Sequence, residues 1–169
     1  GANVAVLRVD DYYRDLTHLS FEERDTINFD HPDAIEFERL VDDLASLRSG
    51  EEVQTPVYDF TQHTRSTLSQ SVPPADIVLL EGVLAMSDPA TRALVDYTIF
   101  VDTPLDICEQ RDPKGLYVKA RAGEITNFTG IDSNYEAPID PELRLDTTKL
   151  SVDASKSEII EYLRNKGIV

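Results

Sequence analysis

The chain has 169 residues, of which 41% are apolar and 28% charged, a composition typical of a folded globular protein with a hydrophobic core. Its apolar runs are too short to span a membrane and it opens with no basic-then-apolar leader, so we expect a cytoplasmic protein. The formal net charge of −16 disfavours nucleic acids and membranes as partners, because both attract basic surfaces. The single cysteine, Cys108, excludes an internal disulfide and a thiolate metal site.

The first elements predict a strand followed by a short helix. Residues 4–9 favour β structure and end at Asp10 and Asp11, which places two carboxylates at the carboxyl edge of a sheet, where α/β folds bind ligands. Ser20 and Glu23 form a capping-box pattern that starts the short helix.

A longer helix and a hairpin are predicted next. An apolar stripe indicates a helix that Asp33 begins and Gly50 ends. Residues 53–58 and 65–72 are β-prone and flank a polar turn that contains His63, so they predict a hairpin.

The second half predicts βα units. Residues 76–81 and 97–102 are apolar runs typical of strands buried on both faces, and a helix that begins near residue 87 or 88 connects them. Thr103 and Pro104 suit the start of a further helix, with Thr103 accepting from its first amides. Residues 112–138 are too long for a plain connection and predict a lid, after which a strand at 143–146 and a terminal helix complete a single domain over residues 1–169.

Four motifs in the first part of the chain occur in the order found in one enzyme family. They are DDYYRD, NFDHPDAIEF, PVYDFTQHTR and DIVLLEGVLAM. Through them residues 1–96 resemble uridine kinases. The resemblance implies that Asp10 is the base acting on a nucleoside 5′-hydroxyl, and that Asp10 and Glu81 help to hold Mg²⁺.

The same resemblance implies an acceptor pocket. Phe29 and Asp30 match residues that border the sugar, and Tyr58, Phe60 and His63 match those that hold the pyrimidine. These residue types suit the task, because aromatic rings stack on a base and histidine bonds its polar edge. Without the resemblance, the sequence predicts that Tyr58 and Phe60 pack within the hairpin and that His63 is an exposed loop histidine.

From residue 97 onward the resemblance changes. The run FVDTPLDICEQRDPKGLYVKARAGEITNFTGIDSNYEAP is similar to adenylylsulfate kinases and includes the whole predicted lid. It implies that Lys114 approaches the sulfate-phosphate end of adenylylsulfate, that Asn127 and Phe128 contact its adenine, and that Arg111 faces ATP. Arg121 completes a basic cluster that suits a small anion. The alternative for Phe128 is that it does not contact adenine but packs into the core and anchors the lid.

Both families are P-loop kinases with the motif GxxxxGK[ST], which none of the 169 residues supplies. The implied fold is therefore α/β, a three-layer parallel-sheet P-loop NTPase or nucleoside-kinase-like fold that lacks the first strand, the P-loop and the first helix. We interpret the chain as a fragment or a recombination of the two families. ATP and Mg²⁺ are the cofactors of both, and we expect neither to bind this chain tightly.

Three functions stay open at this point. The first is a kinase lineage that phosphorylates a uridine- or cytidine-type nucleoside, with this isolated chain inactive. The second is an adenylylsulfate kinase, and the third is a non-catalytic nucleoside-binding module or scaffold. In each case the partner is a small nucleoside or nucleotide. The apolar strands 76–81 and 97–102 need neighbours, so we expect them to pair directly or, in preference, to drive self-association.

Overall fold

The computed structural model describes residues 1–169, which contain six strands and six α-helices. Two compact units result, Gly1–Val95 and Asp96–Val169. The strands are β1 (Val4–Arg8), β2 (Val53–Asp59), β3 (Thr64–Val72), β4 (Ile77–Glu81), β5 (Ile99–Asp102) and β6 (Leu143–Asp146). The helices are α1 (Phe21–Asp25), α2 (Phe37–Arg48), α3 (Pro89–Leu94), α4 (Leu105–Arg111), α5 (Leu116–Arg121) and α6 (Val152–Asn165). None of these helices is both long enough and apolar enough to cross a membrane.

In the first unit, β1 and β4 form a parallel pair that ends with Arg8 opposite Glu81. The inward residues of β1 join the core, whose fully buried members include Leu7, Tyr12 and Leu40. A 3₁₀ turn, Val9–Tyr12, follows β1 directly. The chain therefore leaves the sheet edge in a tight turn that carries Asp10 and Asp11.

Of the two helices predicted after β1, the first begins where it was predicted and the second does not. The capping box at Ser20 and Glu23 is present, as predicted. The longer helix does not begin at Asp33, because Pro32–Ala34 form a separate 3₁₀ turn and Ile35 is extended. Ile35 forms a bridge with Tyr13, and this tertiary contact delays the start of α2 to Phe37.

The predicted hairpin is confirmed. Strands β2 and β3 pair antiparallel, with a register shift between Pro56 and Tyr58. Proline has no amide hydrogen for the ladder, which explains an irregularity at this position. The turn between the strands carries Phe60 and His63.

The prediction that the 76–81 strand is buried on both faces is wrong. Val78 and Leu80 pack against the core, but the opposite face bears Leu79, which is 48% exposed. On β1, Val4 and Val6 lie on this same face and are also about half exposed. An apolar pattern on both faces thus coexists with burial on one face.

In the second unit, β5 and β6 form a parallel pair from Ile99–Leu143 to Asp102–Asp146. Each apolar strand thus takes its partner from its own unit, β1 for β4 and β6 for β5.

The helix ends of the second unit test three capping predictions. Ser151 accepts from the Ala154 amide and begins α6, and Gly167 follows its end with φ +71°, as predicted. Thr103 does not cap α4, because its hydroxyl bonds to that of Thr147 at 2.6 Å. Pro104 occupies the cap position instead.

Candidate functional site

The carboxyl ends of β1 and β4 bring several carboxylates together. Asp10 is half-buried in the 3₁₀ turn after β1. Burial raises the pKa of Asp10, and the nearby charges of Glu81, Asp11 and Asp30 raise it further. A carboxyl group with a raised pKa beside other acids is a common feature of sites that move protons or hold cations.

Glu81 differs from its prediction. The sequence implied a buried strand-end acid, but the side chain is 56% exposed and its Oε1 lies 3.8 Å from the Arg8 Nε. It is exposed because it follows Leu79 on the uncovered face of the β1–β4 pair. The carboxylate nevertheless stays near enough to Asp10 to act on its pKa.

These acids are compatible with Mg²⁺ but do not form a dedicated metal cage. No group of three or more His, Cys, Asp and Glu side chains is arranged to hold a metal ion. Mg²⁺ is commonly bound through one or two carboxylates together with substrate phosphates. Asp10 and Glu81 would hold such an ion, and its charge would relieve the repulsion that raises the Asp10 pKa.

The raised pKa gives a prediction for the Asp10→Asn variant. A carboxyl whose pKa rises on folding destabilises the protein at neutral pH, and the penalty disappears as the pH falls toward its ordinary value of 3.8. Asp10→Asn should therefore raise the thermal midpoint at pH 7 and leave it nearly unchanged near pH 4.

The matched control is Asp15→Asn, because the amide of Thr17 donates to Asp15 at 2.9 Å and lowers the Asp15 pKa. The control should lower the midpoint at pH 7. Thermal melts at pH 7 and pH 4 measure the shift in midpoint for both variants. A midpoint for Asp10→Asn below that of the wild type at pH 7 would contradict a raised Asp10 pKa.

Four predicted pocket residues converge in an aromatic cluster next to these acids. The ring centroids of Phe29 and Tyr58 are 6.2 Å apart, those of Tyr58 and Phe60 are 5.1 Å apart, and those of Phe29 and His63 are 5.7 Å apart. Tyr58 is buried, whereas Phe60 is 59% exposed. The reading of Tyr58 as hairpin packing is therefore compatible with its burial, but Phe60 presents an open ring.

The predicted site residues did not include Tyr13, whose ring contacts two members of this cluster. Its ring is 5.3 Å from that of Phe29 and 5.1 Å from that of Tyr58. Burial raises the Tyr13 pKa, with further contributions from Asp10 and Asp30. Tyr13 thus connects the aromatic rings to the carboxylates. The available signal was its place in DDYYRD, three residues after Asp10.

The phenol of Tyr58 is the one polar group of the cluster that is buried without a hydrogen-bond partner. Burial raises its pKa to about 12, so the phenol stays protonated at neutral pH. A buried phenol normally finds a partner, because leaving it unpaired costs about 1 to 3 kcal/mol. The Tyr58 hydroxyl is therefore a buried polar group whose hydrogen-bonding capacity is unused in this structure. A cleft of about 320 Å³ lies beside Phe29, with Asn28 and Ile27 in its wall.

In the second unit, both predicted arginines already have partners. Arg111 donates to the Thr147 hydroxyl at 3.0 Å and to its carbonyl at 2.7 Å. Arg121 forms a two-pronged ion pair with Glu109, at 2.6 and 3.2 Å. Lys114 is exposed. The predicted contact of Arg111 with ATP, and of Arg121 with a small anion, would require these arginines to exchange their present partners.

Asn127 and Phe128 lie together at one turn of the predicted lid. Their amides donate to the two carboxylate oxygens of Asp132, and Asn127 has φ +58°. The Phe128 ring packs edge-on against Tyr117, with 5.0 Å between centroids. Because Tyr117 is itself a residue of the predicted lid and Phe128 is only partly buried, this contact does not place Phe128 in the core, and both predictions for Phe128 stay predictions.

Comparison with known proteins identifies the kinases that this chain resembles. The uridine kinase of Shewanella amazonensis is 47% identical over 105 residues, which are 62% of this chain and 50% of that protein. The uridine kinase of Shewanella baltica is 46% identical over the same lengths. These matches span half of the relatives' length. The solved adenylylsulfate (APS) kinase of Mycobacterium tuberculosis, in complex with AMPPNP and APS, is 31% identical, with a TM-score of 0.50 over 96% of this chain and 80% of that one.

This structural match confirms the predicted α/β, nucleoside-kinase-like fold class. Two family models confirm both predicted resemblances and the kinase lineage. The model for adenylylsulphate kinase matches residues 86–146. The model for the phosphoribulokinase / uridine kinase family matches residues 1–112. Since that second match covers well over half of the 169 residues, the chain belongs to the phosphoribulokinase / uridine kinase family.

Proposed function

We propose that this chain carries the acceptor side of a kinase that phosphorylates a hydroxyl of a pyrimidine nucleoside, uridine or cytidine. The observation that carries the proposal is the aromatic cluster in which the Phe29 ring contacts those of Tyr13, Tyr58 and His63. Burial raises the pKa of Tyr13, and the charges of Asp10 and Asp30 raise it further, so carboxylates lie beside the rings. These residues come from three separate segments of the chain. A nucleoside requires a stacking surface beside carboxylates, because aromatic rings stack on its base and carboxylates accept hydrogen bonds from its hydroxyls.

The proposed roles follow from the environment of each group. Asp10 accepts the proton of the acceptor hydroxyl, and its raised pKa brings it closer to the working pH of a general base. Asp30 accepts from ribose hydroxyls. The unpaired Tyr58 phenol and the His63 imidazole bond the polar edge of the base.

The phosphate donor of this lineage is ATP with Mg²⁺, for which Asp10 and Glu81 are the proposed carboxylates. The 169 residues include no GxxxxGK[ST] motif, whose amides and lysine cradle the phosphates. We therefore expect MgATP to bind this chain no more tightly than the millimolar range.

A uridine titration tests the proposed acceptor. Uridine and cytidine should bind weakly but more tightly than adenylylsulfate, and His63→Ala and Asp30→Ala should each weaken uridine binding by about 1 kcal/mol, the usual value of one hydrogen bond. His18→Ala, which removes an exposed histidine outside the cluster, should leave the affinity unchanged. Calorimetry measures all four proteins, and equal affinities for the wild type and His63→Ala would count against the assignment.

Adenylylsulfate is the second candidate acceptor, and the match of residues 86–146 to the adenylylsulphate kinase model favours it. NMR spectra distinguish the two acceptors. If adenylylsulfate shifts the signals of Phe128 and Lys114 while uridine leaves those of His63 in place, the acceptor assignment is reversed. Residual ATPase activity in a clean preparation would favour a kinase over the third candidate, a binding module.

We also propose that the chain self-associates through the exposed face of the β1–β4 pair, which bears Val4, Val6 and Leu79. Contiguous exposed apolar side chains on a two-stranded sheet favour association with a second copy. Light scattering at micromolar concentration should detect oligomers, and Val6→Lys should shift them to monomer. Leu68→Lys makes the same charge change at an exposed site of the hairpin and should not. A monomeric wild type would refute this proposal.

A further inference from the structure

The hairpin turn that presents Phe60 and His63 is held in place by α1 and by the loop that precedes α1. The Leu16 amide donates to the Thr64 hydroxyl at 2.9 Å, and that hydroxyl donates to the Asp15 carboxylate at 3.3 Å. The turn itself is strained at His63, whose backbone has the left-handed φ of +50° that residues other than glycine rarely adopt. Contacts from outside the turn therefore help to hold this conformation.

Arg24 makes the central contact between α1 and the turn. Its Nη1 donates to the Gln62 carbonyl at 3.0 Å, directly before His63. Its Nε donates to the carbonyls of Leu16 and Leu19, at 2.9 and 3.0 Å, and its Nη2 to that of Thr17 at 3.4 Å. One guanidinium group thus links three carbonyls of the loop before α1 to one carbonyl of the hairpin turn.

Two neighbours of Arg24 on α1 border the His63 ring. The Phe21 ring meets it edge-on at 5.6 Å between centroids, and the Asp25 Oδ1 lies 4.0 Å from its Nε2. The imidazole is thereby enclosed between α1 and Phe29. Displacement of α1 from the turn would remove one wall of the histidine's surroundings.

The charge of Arg24 also reaches the aromatic cluster. Although burial raises the Tyr58 pKa to about 12, the Arg24 charge acts in the opposite direction and lowers it. The guanidinium therefore lies close enough to the unpaired Tyr58 phenol for its charge to act there.

We propose that Arg24 is a positioning residue for base recognition. Its bond to the Gln62 carbonyl fixes the turn that presents His63 to the base, and Arg24 itself does not contact the ligand. This inference rests on the proposed acceptor function, and the variants below separate the failure of one from the failure of the other.

The first test measures uridine affinity by calorimetry for Arg24→Met, His63→Ala and the double variant. Arg24→Met should weaken binding by no more than the roughly fivefold loss expected for His63→Ala, because Arg24 acts through His63, and the double variant should be no weaker than His63→Ala alone. Arg24→Lys keeps the charge and one donor, so it should fold and restore part of the affinity. Arg39→Met is the matched control, because Arg39 also donates to a hairpin carbonyl, that of Gln54, but away from the turn.

The second test follows the ligand-free proteins by NMR. The His63 imidazole signals and the amides of residues 60–63 should move in Arg24→Met and stay in place in Arg39→Met. Unmoved His63 signals, or losses of affinity that add in the double variant, overturn the inference while the proposed function stands. A wild type that binds no uridine overturns the proposed function and the inference together.

Discussion

Gly82→Ala should lower the free energy of unfolding by about 3 kcal/mol or more. Gly82 follows Glu81 at the end of β4 with φ +150°, a conformation that residues with side chains rarely adopt. A Cβ atom at this position would lie 2.7 Å from the Val9 Cβ and 3.1 Å from its Cγ2. Backbone strain and overpacking each cost about 1 to 3 kcal/mol, and both apply at this residue.

The matched control is Gly50→Ala, because Gly50 also has positive φ, +83°, but a Cβ atom added there would have no other atom within 4 Å beyond its chain neighbours. Gly50→Ala should cost only the backbone strain, about 1 kcal/mol. Denaturant unfolding of the two variants isolates the steric part. Equal losses would mean that β4 does not approach Val9 closely, and the proximity of Glu81 to Asp10 would lose its structural basis.

Locally encoded features of the fold were predicted well. The capping box at Ser20 and the cap at Ser151 depend on residues within one helical turn, so their patterns are complete in a short stretch of sequence. The hairpin is equally local. Predictions that depended on distant residues failed, because Thr103 bonds to Thr147 and the start of α2 is displaced by the bridge from Ile35 to Tyr13.

The candidate site shows the same division. The family motifs indicated Phe29, Tyr58 and His63, and the fold brings their rings together. Tyr13 and Arg24 were missed because the ring of Tyr58 and the carbonyl of Gln62, which give them their roles, lie more than thirty residues away in the sequence, and no local pattern encodes such contacts. The exposure of Glu81 depends on what covers one face of a sheet, and an apolar strand pattern does not specify that cover.

Arg65→Met should destabilise the first unit by about 3 kcal/mol. The Arg65 Nη1 lies 2.7 Å from the Glu36 Oε2, and its Nη2 donates to the Tyr13 carbonyl at 2.8 Å. The Arg65 side chain is only 14% exposed, so removing it leaves a largely desolvated carboxylate and a carbonyl without their cation. Breaking a buried ion pair from one side costs about 3 to 5 kcal/mol, and the partial exposure of Glu36 places this case at the lower end.

The double variant Arg65→Met with Glu36→Gln should recover much of that loss. The ion pair is close, but its atoms are not aligned as a hydrogen bond, and the buried Arg65 Nε has no partner. The native pair is therefore imperfectly compensated, and a neutral replacement of both members removes the uncompensated charge. Arg121→Met serves as the control, because the Arg121 side chain is 54% exposed, against 14% for Arg65, and its pair with Glu109 should contribute much less to stability. Denaturant unfolding compares the variants, and a double variant as unstable as the sum of its single substitutions would show that Arg65 acts through packing around Tyr13 instead of through charge.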